Sequence, residues 1–145
     1  MIHDVVVTPL RQIADQRGKV MHMLRSDALG FAGFGEIYFS CVNAGAVKAW
    51  NRHRRMVCNY AVPSGQVRLV LFDDRPESPT RGALQEMVIG GDNYCLVTIP
   101  PLIWSGFKGL GAAMSIVANC ASIPHDPSEG EKLDPIANDI PFTWD

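Results

Sequence analysis

Short apolar runs separated by turn signals roughly every ten residues fill most of the chain, a spacing that predicts an all-β sandwich or barrel rather than βαβ units. The clearest strand runs from Gln66 to Phe72, with Val67, Leu69 and Leu71 on one face and Gln66, Arg68, Val70 and Phe72 on the other. Both faces become apolar toward its end, as in a strand covered on both sides. Pro63-Ser64-Gly65 supplies a turn before it, and Asp73-Asp74-Arg75-Pro76 ends it. Gly90-Gly91-Asp92-Asn93 marks a second turn, and Tyr94 to Ile99 reads as the next strand. Pro100-Pro101 stops that strand, because proline cannot donate to a ladder. Gly35 to Val42 and Ala113 to Cys120 are further strands. Helical periodicity is weak everywhere, with room for one short turn between Ser26 and Phe31. From Pro124 onward the chain is rich in proline and acid and is expected to wrap over the surface.

No repeat, low-complexity stretch or linker interrupts this pattern, so 1–145 reads as a single domain. The 145 residues are 47% hydrophobic and 19% charged, enough to bury a core and too apolar for disorder. A net charge of -2 leaves no overall basic field for nucleic acid. The one basic cluster, Arg52-His53-Arg54-Arg55, is either a solvated strand end or a phosphate contact. No apolar run is long enough to span a bilayer, and Met1-Ile2-His3-Asp4 lacks the layout of a signal peptide. Cys41, Cys58, Cys95 and Cys120 sit in apolar stretches with no Cys-x-x-Cys pair, the pattern of reduced thiols in a cytoplasmic protein.

Several collinear segments carry a resemblance. Asp15-Gln16-Arg17-Gly18 matches D-x-R-G, and Gly45 to Asn51 looks like G-V-L-R-G-L-H. Asp74 to Gly82 is similar to D-x-R-x-x-S-P-T-x-G, matching it at Arg75, Ser78, Pro79, Thr80 and Gly82, and is the most specific match. Ile99 to Phe107 follows I-P-x-G-x-x-H-G-F, Pro124-His125-Asp126-Pro127 resembles P-Y-x-P, and Asp134-Pro135 and Trp144 match the tail. Together these resemble the dTDP-4-dehydrorhamnose 3,5-epimerase family. The resemblance implies a cupin jelly-roll barrel and a homodimer, without metal or organic cofactor. It implies a 4-keto-6-deoxy sugar on a nucleoside diphosphate as substrate, in the synthesis of bacterial surface polysaccharides.

Epimerising a carbon beside a ketone needs a base on one face, an acid on the other and a cation near the oxygen as the enolate forms. The resemblance supplies a histidine held by an aspartate as base, a tyrosine as acid, and a lysine and an arginine. This sequence departs at most of those places. The base position carries Asn51, whose amide cannot abstract a proton from carbon. His125 stands at the tyrosine position, Lys48 at the arginine position and Ser105 at the histidine of H-G-F. The stretch from Met56 to Tyr60 lacks the lysine, and of the histidine–aspartate pair only Asp134 is retained, either to orient a histidine or to cap a turn before Pro135. His53, two residues beyond Asn51, points to the same face of a strand and can act as a displaced base, with His125 opposite. Arg17, Lys48 and Arg75 are the expected diphosphate contacts, Arg75 having a salt bridge as rival role. The resemblance implies that Glu36 faces the substrate, and Tyr38 and Trp50 can stack on a base or sugar, with core or dimer-interface packing as the rival role and the favoured one for Trp50.

Four readings stay open: an isomerase with a moved base, a catalytically silent cupin that binds a nucleotide sugar or assists a neighbouring enzyme, a sugar 3,4-ketoisomerase, and a metal cupin. The last is the weakest, because the ligand positions of the cupin metal motif hold Asn51, His53, Asn59 and Ser105, with one imidazole among them.

Overall fold

The computed structural model describes residues 1–145. Its strands are β1 (Val6–Pro9), β2 (Gln12–Asp15), β3 (Gly18–Met21), β4 (Glu36–Val42), β5 (Val47–His53), β6 (Cys58–Ser64), β7 (Gln66–Asp73), β8 (Leu84–Gly90), β9 (Cys95–Ile99), β10 (Ile103–Gly109), β11 (Ser115–Ala121) and β12 (Gly130–Lys132). Two five-stranded antiparallel sheets form a sandwich, in the orders β1-β9-β6-β11-β4 and β12-β5-β10-β7-β8, while β2 and β3 make a separate hairpin. Neighbours in space are mostly distant in sequence, and the architecture is the cupin jelly roll. No helix is long and apolar enough to cross a membrane. The segment from Ser26 to Phe31 carries turn hydrogen bonds, Ala28 N–H to Arg25 O and Phe31 N–H to Ala28 O, and no helix.

The two faces of β7 behave as their alternation predicts. Val67, Leu69 and Leu71 lie in the core between the sheets with Val97, Ile99 and Val117. Each such side chain contributes about 1.5–3 kcal/mol on full burial. Val70 joins Trp50, Trp104 and Ile140 in a second cluster on the outer face, against which Phe72, Leu133, Phe142 and Trp144 pack. The C-terminal tail is therefore the outer cover of the second sheet. It is anchored where Leu133 and Trp50 exchange both backbone hydrogen bonds. Trp50 is a packing residue, fully buried and edge-on to Phe142. Gly106 of β10 faces this cover and has no room for a Cβ, which would stand 2.5 Å from the Ala49 Cβ and 2.9 Å from the Trp144 ring.

The loop after β7 is held by Asp73, whose carboxylate is wholly buried. It accepts hydrogen bonds from the Arg75 guanidinium (2.9 Å from both Nε and Nη2), Ser78 Oγ (2.6 Å) and Thr80 Oγ1 (2.7 Å). Burial works against its charge, yet these donors hold the carboxyl well below the usual carboxylate range. Arg75 also reaches His3 O (2.8 Å) and Asp4 (3.4 Å), tying the N-terminal segment to the loop. The most specific sequence match is thus a structural lock. Arg75, expected at the diphosphate, is committed to it and lies outside the cavity described next.

Candidate active site

A cavity of about 620 Å³ opens between the edge strand of one sheet and the paired edge of the other. The β4 wall presents Glu36, Tyr38 and Ser40, while the alternate residues Ile37, Phe39 and Cys41 point outward. The floor is Tyr60, Phe107, Val117 and Asn119. The opposite wall is β5 with β12, and the rim is the loop through His125, Asp126 and Pro127.

A bulge aims β5. Ser105 pairs with Asn51 and Phe107 with Lys48, so two steps along β10 match three along β5. Lys48, Asn51 and His53 therefore all line the cavity, although simple alternation would send Lys48 to the other side. The Lys48 ammonium donates to Ser40 Oγ at 3.0 Å, linking the two walls. Glu36 accepts from the His125 backbone N–H at 2.8 Å and so pins the rim loop, leaving the His125 ring exposed.

His53 Nδ1 is hydrogen-bonded to the carboxylate of Glu129. The Glu129 side chain is 3% exposed, and its second oxygen accepts from the backbone N–H groups of Arg54 (3.1 Å), Arg55 (3.0 Å) and Met56 (3.3 Å). Burial opposes the charge, but the Arg55 N–H and His53 outweigh it and hold the carboxyl below its ordinary value. A buried carboxylate on Nδ1 fixes the ring and leaves Nε2 for chemistry. The sequence leaves Asp134 with two roles, orienting a histidine or capping a turn before Pro135. Asp134 is exposed and caps its own turn, accepting from Ile136 N–H and Ala137 N–H at 2.8 Å each. Glu129 lies in the stretch expected only to wrap the surface, and nothing in its local pattern marks it.

The polar groups of the floor are buried. Asn119 donates from Nδ2 to the Tyr38 hydroxyl at 2.9 Å. The Tyr60 hydroxyl sits between the side chains of Ser105 and Cys58, and burial raises it well above the ordinary phenol value. Burial likewise pushes the Cys58 thiol up to about 12.

Of the remaining cations, Arg17 lies outside the cavity and Arg52 lines it. Arg17 sits at the turn of the β2–β3 hairpin, 83% exposed, bound to Asp15 at 2.7 Å and outside the cavity. Arg52 stacks 4.4 Å over Trp104 and is held by Asp74 (2.9 Å) and Glu131 (2.7 Å). Arg54 and Arg55 face Glu131 and Asp126 at 3.7 Å, so the whole basic cluster is charge-compensated. Lys132 of β12, which sequence reasoning did not single out, adds a second lysine to the cavity wall. Asn59, at a ligand position of the metal motif, is turned away: its amide oxygen accepts from Thr98 Oγ1 at 2.7 Å. No group of three or more His, Cys, Asp or Glu side chains converges to hold a metal ion.

No protein-family model matches the chain. A Haloferax volcanii protein named as a probable low-salt glycan biosynthesis epimerase is 38% identical over 120 residues, covering 81% of this chain and 77% of its own length. The chain belongs to the dTDP-4-dehydrorhamnose 3,5-epimerase family. A solved dTDP sugar isomerase from Desulfovibrio desulfuricans superposes with a TM-score of 0.95 at 46% identity, over 99% of this chain and 92% of the other. The dTDP-6-deoxy-D-glucose-3,5-epimerase of Legionella pneumophila, solved with dTDP-4-keto-L-rhamnose, shares the fold at 22% identity and a TM-score of 0.83, over 97% of this chain and 80% of the other. Within this epimerase family the chain is a divergent member, and its cavity wall carries Asn51 and the His53–Glu129 pair.

Proposed function

We propose that the protein is a nucleotide-sugar isomerase of the epimerase type, acting on a 4-keto-6-deoxyhexose carried by a nucleoside diphosphate in glycan synthesis. The observation that carries this reading is the His53–Glu129 pair at the wall of the cavity. His53 Nε2 takes the proton from the carbon beside the ketone, and Glu129 stabilises the imidazolium that forms. Lys48 and Lys132 supply positive charge on the same wall for the diphosphate or the developing oxyanion. The names of the relatives support the substrate class: one is a glycan biosynthesis epimerase, the other a dTDP sugar isomerase. Proton NMR of dTDP-4-keto-6-deoxyglucose with the protein in deuterated water tests the reading. Deuterium entering beside the ketone supports it, and bound substrate without exchange overturns it. The product separates an epimerase from a 3,4-ketoisomerase, which would move the carbonyl.

Asn51 favours a second reading, a silent cupin that binds the nucleotide sugar without proton transfer. The same experiment distinguishes the two, since a silent binder shows line broadening and no exchange.

The working unit in this reading is a homodimer of one-domain chains. The outer face of the edge strand β4 exposes Ile37, Phe39 (64%) and Cys41, an apolar strip that a pairing copy would cover. The β2–β3 hairpin is almost wholly exposed, including Ile13 and Val20, and a two-stranded hairpin is marginal in water without a partner. Free thiols at Cys58, Cys95 and Cys120, all buried, fit a reducing, cytoplasmic setting.

A further inference from the structure

Inverting a carbon centre requires a proton donor on the side opposite the base, and the expected donor, His125, is poorly built for the task. Its ring is exposed on the rim loop, and only its backbone N–H is held, by Glu36. The wall facing β5 offers another group. Tyr38 lies in the middle of β4, in the sheet opposite the one that carries His53, and its side chain lines the same cavity.

The hydrogen bonding of Tyr38 fixes where its proton points. Asn119 is buried, and its Oδ1 accepts from the Asn59 backbone N–H at 3.0 Å. The amide is thereby oriented, with Nδ2 as the end that faces Tyr38 at 2.9 Å. Nδ2 can only donate, so the phenol oxygen accepts and the phenol proton is directed elsewhere. No protein acceptor takes that proton, and the cavity lies in front of it. Tyr38 and Asn119 are direct partners in the β4–β11 register, so the arrangement is set by the ladder and not by a mobile loop. An amide buried among apolar neighbours costs stability unless its bonds are made, and here both ends are used to present one hydroxyl.

We infer that Tyr38 is the acid of the reaction, delivering its phenolic proton to the face opposite His53, with Asn119 as its positioning residue. This inference rests on the isomerase reading above. His53 Nε2 takes the proton as the C–H bond breaks, and the electron pair forms the enolate C=C and C–O⁻. The enolate carbon then takes the Tyr38 proton on its other face, the C=O re-forms, and the phenolate is left. Water at the cavity mouth returns a proton to Tyr38 and removes one from His53, so no oxidant or second substrate is needed. Burial raises the Tyr38 phenol above its ordinary value, so it stays protonated near neutral pH between turnovers.

The test uses the full chain with dTDP-4-keto-6-deoxyglucose in deuterated water, following deuterium entry and stereochemical inversion separately by NMR. Tyr38→Phe keeps the ring and removes the acid. The expected result is inversion slowed at least 100-fold while exchange, which needs only His53, stays within a few-fold. Asn119→Ala is expected to lower kcat with little change in KM, a split that loss of folded protein alone would not give. Inversion by Tyr38→Phe at the rate of the unaltered protein overturns the inference and leaves the isomerase reading standing, as does inversion that fails only in His125→Gln. Absence of exchange in the unaltered protein overturns both.

Discussion

The imidazole of His53 and the carboxylate of Glu129 form a hydrogen-bonded pair across a sequence separation of 76 residues. The fold brings them together through one register: Gly130 of β12 pairs with His53 of β5, so the residue just before β12 arrives beside the ring. Three backbone N–H groups from Arg54, Arg55 and Met56 then fix the carboxylate. The orientation of the His53 ring is thus built from the strand end and the tail, and not from the Asp134 turn.

If Glu129 orients His53, Glu129→Gln lowers kcat about 100-fold while KM changes by less than a few-fold, because misaligning a base acts on the transition state. Steady-state kinetics on the keto-sugar reads this. A matching rise in KM with kcat unchanged would assign Glu129 to substrate binding instead.

Stability should fall in acid, and the sign follows from the carboxyls. Glu129 and Asp73 both sit below their ordinary values of 4.5 and 3.8 in the folded protein. The unfolded chain therefore binds more protons as the pH drops through that range, and the stabilisation present above it is progressively lost. Thermal melts from about pH 6 to about pH 3 should show a falling Tm, with a shallower fall in Asp73→Asn. An unchanged slope in that variant would mean the buried Asp73 lock contributes nothing to the acid dependence.

Asp73 and Arg75 form a pair whose side chains are 0% and 15% exposed. Arg75→Ala strands the buried carboxylate and should cost about 3 kcal/mol in denaturant unfolding. Substrate KM should stay within a few-fold, because Arg75 lies outside the cavity. A tenfold or greater rise in KM without loss of stability would restore it to the diphosphate.

The apolar strip on β4 predicts the assembly. Phe39→Asp places a charge at the centre of the outer face and should convert a dimer to monomer in sedimentation velocity. A monomer from the unaltered chain, or a dimer that tolerates the charge, would place the contact elsewhere.

Much of the sandwich was legible because its signals are local. Val67, Leu69 and Leu71 alternate with residues that turn apolar at Val70 and Phe72, and both faces of β7 are covered as that pattern predicts. The strand β10 was harder to see, since Ser105 and Gly106 break its apolar run for reasons of tertiary packing: Gly106 makes room for Trp144. In the site, His53 was legible from its spacing to Asn51, Glu36 from the family resemblance, and Tyr38 as an aromatic able to stack on a base or sugar. Lys48 reaches the cavity through a bulge that no local pattern announces. Glu129 escaped because its partner is remote, and of the two roles open to Arg75 the salt bridge is the one seen, because a motif shared with a family can be kept for loop structure as readily as for substrate.

The most direct test is the rate of solvent deuterium entry into dTDP-4-keto-6-deoxyglucose for the unaltered protein and for His53→Gln, with substrate binding checked by line broadening. With His53 as the base, the variant should bind and exchange at least about 100-fold more slowly. Exchange by His53→Gln at the rate of the unaltered protein would contradict the account and place the base elsewhere.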